Sequence, residues 1–394
     1  MTAQDQCTDS GATSPAAAGL TGVGMTTFAN ADDRSLLELL AVAAGRALED
    51  ADRRADELDA VYVGNMAAEA FNGRSGLANA LAAHLGASGV DSRRIENTSA
   101  SGASAFLTGV DAIRAGRADR VLVVGGEKMS AADTATSTEI ISRITHDREY
   151  EHGITLPSFA GLAADAYVRT HDVDRAALAH VAVKNHENAA ANPYAQFQKR
   201  ITVEDVLDSP EIATPLRLFD CCPTSDGAAA VVLEADGGDV VVSACEGATG
   251  VHAIADRRNP LEIESVRAAG EAVYDAAGIG PEDVDVACIH DAFTILEWLE
   301  MEELGLAERG EAWKLTRDGE TAVDGSLPVN PGGGLKARGH PLGATGLSQI
   351  VELVWQLRGE APPERSVAEP SCGLAINVAG FGNNSICTVL EVVA

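Results

Sequence analysis

Two turns, one polar and one glycine-rich, each opening a helix, read as one design used twice, and this repetition constrains the fold more than any other feature. Glu96-Asn97-Thr98-Ser99-Ala100-Ser101-Gly102 leads into Phe106, Val110 and Ile113, and Gly339-His340-Pro341-Leu342-Gly343-Ala344-Thr345-Gly346 leads into Leu347, Ile350, Val351 and Val354. Both apolar sets follow helical spacing. A second pair supports the repeat: Asp226-Gly227-Ala228-Ala229-Ala230-Val231-Val232-Leu233-Glu234 resembles Asn384-Ser385-Ile386-Cys387-Thr388-Val389-Leu390-Glu391, a strand closing each half. Placing Gly102 on Gly343 sets Ser99 opposite His340. In that register the first half carries roughly 84 more residues than the second between its helix and its closing strand. A duplicated α/β unit with an insertion in copy one follows. Apolar runs at 121–124 and 284–289 suit strands buried on both faces. Further strands are expected near 60–63, 226–235 and 240–244, and a helix over 175–188.

Composition sets the surroundings. The 394 residues carry 59 acidic and 29 basic side chains, a formal charge of −30, and only five of the basic residues are lysine. Such a charge opposes binding to nucleic acid or to an anionic membrane surface. It suits a high-salt cytoplasm, where screening tolerates crowded carboxylates. No run of eighteen apolar residues predicts a membrane span. Residues 1–18 lack the basic start and apolar core of a signal peptide and read as a flexible tail. Seven cysteines, at 7, 221, 222, 245, 288, 372 and 387, form no Cys-x-x-Cys pair, so neither a metal site nor a disulfide framework is expected. Cys245, Cys288 and Cys387 read as small buried hydrophobes. Gly332-Gly333-Gly334 has no preceding strand and no following Gly-Lys-Ser/Thr, and reads as a flexible lead into the His340 turn rather than a phosphate cradle.

Ser-Ala-Ser-Gly at 99–102, Gly-Gly-Glu-Lys-Met-Ser at 125–130, Asn-Pro-Tyr-Ala-Gln-Phe at 192–197, Asp-Gly-Ala-Ala-Ala at 226–230, His-Asp-Ala-Phe at 290–293 and Gly-His-Pro-Leu-Gly-Ala-Thr-Gly at 339–346 occur in thiolase order. From about Thr21 to its end the chain resembles thiolases of the sterol-carrier-protein-like and archaeal branch. With the acidic composition, it is similar to a haloarchaeal β-ketothiolase catalytic subunit. The resemblance implies a duplicated five-layered αβαβα fold with a loop-domain insertion over the active site. Its segments would be residues 19–126 with 224–236, the insertion 127–223, and a second half 237–394. It also implies coenzyme A thioesters as substrates with no prosthetic group, and a dimer or tetramer. A separately encoded small subunit with an oligonucleotide-binding-type barrel is a further implied partner. Two departures stand out. The family's nucleophilic cysteine is Ser99 here, and its second cysteine falls at about Ile376 or Asn377.

Claisen condensation of two acyl-CoA molecules needs a nucleophile, a base to activate it, a carrier for the α-proton and donors for two oxyanions. A serine hydroxyl stays protonated until a base removes its proton, so Ser99 depends on a histidine more than a cysteine would. The expected catalytic set is Ser99, His340 and His290, the last at a strand end where α/β sites gather. The backbone N–H groups of Ser99 and Gly380 are the expected oxyanion donors, and Cys222, Phe293, Ile376 and Asn377 the expected substrate neighbours. His152 and His186 read as packing within the insertion. The expected activity is acyl-CoA C-acyltransferase, making or cleaving a 3-oxoacyl-CoA through an acyl-Ser99 intermediate. Loss of both cysteines also suits a non-catalytic acyl-CoA-binding scaffold, and a Ser–His pair also suits an acyl-CoA hydrolase.

Overall fold

The computed structural model describes residues 16–393. Its main strands are β1 (Ala18–Met25), β2 (Ala60–Gly64), β3 (Asp91–Ile95), β4 (Arg120–Lys128), β5 (Asp226–Ala235), β6 (Val240–Thr249), β7 (Val286–Cys288), β8 (Cys372–Ala379) and β9 (Asn384–Val392). The helices that frame the site are α1 (Leu36–Asp50), α2 (Ser101–Arg114), α3 (Thr134–Ser142), α4 (Leu156–His171), α5 (Leu178–Ala190), α6 (Glu264–Ala277), α7 (Thr294–Glu303), α8 (Gly334–Arg338) and α9 (Thr345–Leu357).

Strand periodicity sorts side chains onto two buried faces. Val61, Val63, Leu122 and Val124 pack with Leu39, Leu40 and Ala43 of α1, while Tyr62, Val121 and Val123 pack with Phe106, Val110 and Ile113 of α2. Leu347, Ile350, Val351 and Val354 of α9 join that second cluster, so α2 and α9 form the central layer. On the far side, α6 and α7 cover the second half through Val266, Val273, Ile295 and Leu299. The result is the expected five-layered α/β arrangement.

The strands run in the order β3-β2-β4-β5-β1-β6-β9-β8-β7. The duplication is written in this order. Parallel β2–β4, then antiparallel β4–β5 and β5–β1, are mirrored by parallel β7–β8, then antiparallel β8–β9 and β9–β6. The halves meet where β1 pairs with β6 at Gly19↔Val241 and Leu20↔Val240.

The register of the repeat differs from the one the turns suggest. A Cβ at Gly102 would stand 3.3 Å from the Leu347 nitrogen, and one at Gly346 would stand 2.5 Å from the Ala103 nitrogen. This reciprocity relates Gly102 to Gly346, as do the helix starts at Ser101 and Thr345. Ser99 therefore corresponds to Gly343, and the serine and His340 are not equivalent positions. The sequence match favoured the wrong glycine because Gly343 and Gly346 share one turn.

Other expectations also shift. The tail read over 1–18 overlaps β1, which begins at Ala18, and residues 1–15, with Cys7, lie outside the described residues. The strand expected over 284–289 is shortened to β7, and the helix over 175–188 becomes a 3-10 turn (Arg175–Ala177) followed by α5. Among the described residues no helix is long and apolar enough to cross a membrane, and the six described cysteines are free thiols.

Gly332–334 is not a flexible lead. Its backbone is buried, and Cβ atoms there would stand 2.4 Å from Glu352 Oε2, 2.5 Å from Ala189 Cβ and 2.4 Å from the Asp291 carboxylate. Asp291 accepts the Leu335 N–H at 2.6 Å and the Lys336 N–H at 3.2 Å. The glycines let the start of α8 wrap a buried carboxylate.

Candidate active site

Ser99 is held by a strained turn. Thr98 has φ 46°, a conformation that costs a β-branched residue about 1–3 kcal/mol. Asn97 accepts the Ala100 N–H at 2.9 Å, and Thr98 accepts both the Ser101 N–H and the Ser101 hydroxyl. The Asn97 amide then ties the turn to Ser104 and to Asn384 in the other half, each at 2.9 Å. Ser99 is 4% exposed and faces a cavity of about 170 Å³ just before α2. Its hydroxyl donates to the Val378 carbonyl at 2.9 Å rather than to a histidine.

His340 occupies the second turn, where Gly339 takes φ 114° and lets the chain reverse before Pro341. Its N–H donates to Ser225 Oγ at 2.9 Å. Its Nδ1 lies 2.6 Å from Thr345 Oγ1, and the Thr345 hydroxyl itself donates to the Pro341 carbonyl at 3.2 Å. Thr345 thereby holds the ring at Nδ1, and Nε2 of His340 has no hydrogen-bond partner among the described residues.

His290 follows β7. Its N–H donates to Glu300 Oε2 at 2.9 Å, and its Nδ1 accepts from the Asn377 amide at 2.8 Å. The two histidines, both expected to act as bases, are thus each held at Nδ1 and leave Nε2 without a hydrogen-bond partner among the described residues. Their rings meet edge to face at 5.1 Å. Burial, reinforced by Arg338, pushes His340 down to about 3, and burial, reinforced by His340, holds His290 well below the ordinary imidazole value. Both rings stay neutral at pH 7.

The cavity brings together Ser99, His290, His340 and Gly380, with Cys222 and Phe293 in its wall. At Gly380, φ is 61° and a Cβ would strike Asn383 Oδ1 at 2.1 Å, so the chain needs glycine there. Ile376 is a correction. Its side chain is packed in the core beneath β8, and it does not line the cavity. Asn377 does not line it either, but it reaches the site by orienting His290. Cys222 is anchored by its N–H to the Ala292 carbonyl at 2.9 Å, and burial pushes its thiol up to about 12. His186 lies elsewhere, between Phe197 and Phe219 with Nδ1 on the Lys199 carbonyl, and burial drives it down to about 4. His152 borders a separate groove.

Sequence reasoning missed the apolar wall. Met66, Met129, Ile141, Ile144, Leu156 and Leu342 close the cavity, three of them from segments on or between α3 and α4. It also missed Thr345 and Ser225, which fix His340. Thr345 was legible in principle, five residues after His340 in the same motif. Glu127 was not: this buried carboxylate accepts N–H groups of Met66, Ala67 and Gly343 and the Asn65 amide, and burial raises it to about 7. It clamps the two sides of the cavity together.

Comparison with known proteins places the chain in a family. The family description "Thiolase, N-terminal domain" matches residues 17–236, and "Thiolase C-terminal domain-like" matches residues 247–392. The chain is 41% identical over 373 residues to an acetyl-CoA acetyltransferase of Methanothermobacter thermautotrophicus, covering 92% of this chain and 96% of the relative. It is 30% identical over 392 residues to sterol carrier protein 2 of Bos taurus, covering 94% and 71%. Among solved structures it is similar to the Ltp2-ChsH2(DUF35) aldolase, with TM-score 0.82, 24% identity and coverage of 96% and 99%. Human mitochondrial 3-ketoacyl-CoA thiolase in complex with CoA gives TM-score 0.73 at 16% identity, covering 96% and 98%. At those identities the two structures speak for the fold alone. With two matching domain models and relatives aligned along almost its whole length, the chain belongs to the thiolase family.

Proposed function

We propose that this protein is an acyl-CoA C-acyltransferase that makes or cleaves a short 3-oxoacyl-CoA through an acyl-Ser99 intermediate. The observation that carries the reading is the single cavity shared by Ser99, His340 held at Nδ1 by Thr345, and His290 held at Nδ1 by Asn377. His340 removes the Ser99 proton as the hydroxyl attacks the thioester, and returns it to the departing CoA thiolate. The backbone N–H groups of Ser99 and Gly380 receive the acyl oxyanion. His290 Nε2–H receives the enolate oxygen of the second thioester, at the position where charge develops. The apolar wall from Met66 to Leu342 suits a short acyl chain.

The purified chain, given acetoacetyl-CoA and CoA, is expected to form acetyl-CoA. Formation of acetoacetate and free CoA, with the acyl group passed to water, would point instead to a hydrolase, and absence of any turnover to a scaffold. A second subunit belongs to the proposal, because the aldolase neighbour is itself an assembly of Ltp2 with ChsH2(DUF35). Self-association into a dimer or tetramer belongs to it as well.

A high-salt setting follows from the charge of −30. The screening length falls from about 30 Å at 0.01 M salt to about 3 Å at 1 M, so self-repulsion on the folded body is strong only in dilute buffer. The melting temperature is expected to rise steadily over that range, with activity lost on dialysis into dilute buffer. A melting temperature that stays level or falls with added salt contradicts the assignment.

A further inference from the structure

The cavity that holds Ser99 shares a wall with a larger groove. The cavity measures about 170 Å³, and the groove, between the insertion and the second half, about 400 Å³. Two segments of chain pass from one space to the other. Thr155, Leu156 and Pro157 line the cavity, while Ile154 and Phe159 line the groove; Gly380 lines the cavity, while Phe381 lines the groove. Where Ile154 meets Thr155 and Gly380 meets Phe381, the two spaces are served by neighbouring residues, about 3.8 Å apart from Cα to Cα.

Two buried aromatic rings fill this partition. Phe381 is 1% exposed and Phe159 7%, and their ring centres lie 6.1 Å apart. Phe381 is fixed by its backbone. Gly380 and Gly382 on either side take φ 61° and 90°, its N–H donates to Asn383 Oδ1 at 3.3 Å, and its carbonyl accepts from the Arg257 guanidinium. The same guanidinium lies 5.9 Å from the centre of its ring. A ring held in this way closes the passage by its bulk.

The partition stands beside the reacting atoms. Ser99 Oγ lies 2.9 Å from the Val378 carbonyl, three residues before Phe381, and the oxyanion donor proposed at Gly380 is its immediate neighbour. Beyond the ring, the groove has the lining an alkyl chain needs: Ile154, Phe159, Leu162, Ala163 and Ile254 give it apolar walls. Its charged residues are turned to other partners, Arg148 to Asp256 and Glu149 to the Ala255 N–H, each at 2.8 Å.

We infer that Phe381, packed on Phe159, sets the acyl-chain limit of this protein by closing the catalytic cavity off from the apolar groove. This rests on the acyl-Ser99 reading above. In thiolysis Ser99 Oγ attacks C3 of the 3-oxoacyl-CoA and the C2–C3 bond breaks. Acetyl-CoA leaves with the serine proton, and the remaining acyl group stays on the serine until CoA takes it. Acetoacetyl-CoA leaves acetyl there, whereas 3-oxooctanoyl-CoA leaves hexanoyl, four carbons longer. The wall leaves room for the first and stops the second. Once the wall is cut back, each methylene that gains an apolar lining is worth about fourfold.

The test compares kcat/KM for thiolysis of acetoacetyl-CoA and of 3-oxooctanoyl-CoA. The wild type is expected to favour acetoacetyl-CoA at least about tenfold, and Phe381→Ala to raise the ratio of long to short substrate at least about tenfold. Phe381→Leu, a smaller cut that keeps the core filled, is expected to raise it about fourfold, and it decides the matter where the alanine variant does not fold. Leu162→Ala changes an exposed residue of the groove, farther along α4. It is expected to leave the ratio unchanged, since no chain reaches it while Phe381 is in place. A wild type equally fast on both substrates, a ratio unmoved in the folded Phe381 variants, or a ratio that moves in Leu162→Ala overturns the inference. A wild type that does not cleave acetoacetyl-CoA overturns the acyltransferase reading itself, and this assignment with it.

Discussion

Ser99→Ala is expected to turn over acetoacetyl-CoA at least about 10⁴-fold more slowly than the wild type, because the variant has no atom on which to hold the acyl group. The change deletes a single hydroxyl whose present partner is one carbonyl. The fold is held elsewhere, by the Asn97 amide and the α2–α9 backbone approach. A circular-dichroism melt close to that of the wild type would therefore accompany the loss. Ser99→Cys is the informative companion. A thiol at the same turn sits before a helix N-terminus that favours its thiolate, and this variant is expected to keep turnover, since His340 can serve either nucleophile as base. Turnover in Ser99→Ala within tenfold of the wild type removes the covalent route.

His340→Ala is expected to lose on the order of 10² to 10⁴ in acetylation of the protein. Substitution of His290 acts differently, since its N–H serves the second thioester, and His290→Ala should retain more acetylation than condensation. The burial of these rings also fixes a pH dependence. In the unfolded chain an imidazole takes its proton near pH 6.5, whereas folded His340 resists it until about 3. The unfolded state therefore binds more protons throughout that window, and stability falls as the pH drops from 6.5 towards 3. Above 6.5 this contribution is flat. The rate of acetylation should likewise show no titration near pH 6.5, and a clear imidazole-like step there would contradict the desolvated placement of His340.

Much of this fold is legible in the sequence for a simple physical reason. Strands buried on both faces, such as 121–124, and helices with one apolar stripe, such as the one opened by Gly102, leave periodic signals that survive in a single chain. Of the three candidate site residues, His340 is the most legible, because it sits in a turn of glycine and proline, Gly339-His340-Pro341-Leu342-Gly343, which punctuates sequence strongly. What stayed hidden depends on tertiary pairing. The rings of His290 and His340 are held at Nδ1 by Asn377 and Thr345, and the Asn377 contact joins segments 87 residues apart. The Gly332–334 run looked flexible because its occupant, the Asp291 carboxylate, comes from a different segment. Ile376 was placed by counting along a motif, and counting does not say which face of β8 a side chain takes. The repeat register failed for a related reason, since two glycines three residues apart fit the same pattern and only the packed backbones distinguish them.

The most direct test of the account is the site of covalent acylation. Wild-type protein is mixed briefly with acetyl-CoA, quenched in acid, digested and sequenced by mass spectrometry. The account predicts one acetyl group, carried by the Ser99 hydroxyl and lost again when the intact acetyl-protein is given free CoA. An acetyl group on Cys222 or on any other residue in place of Ser99, or a protein that turns over substrate yet never carries one, would contradict it.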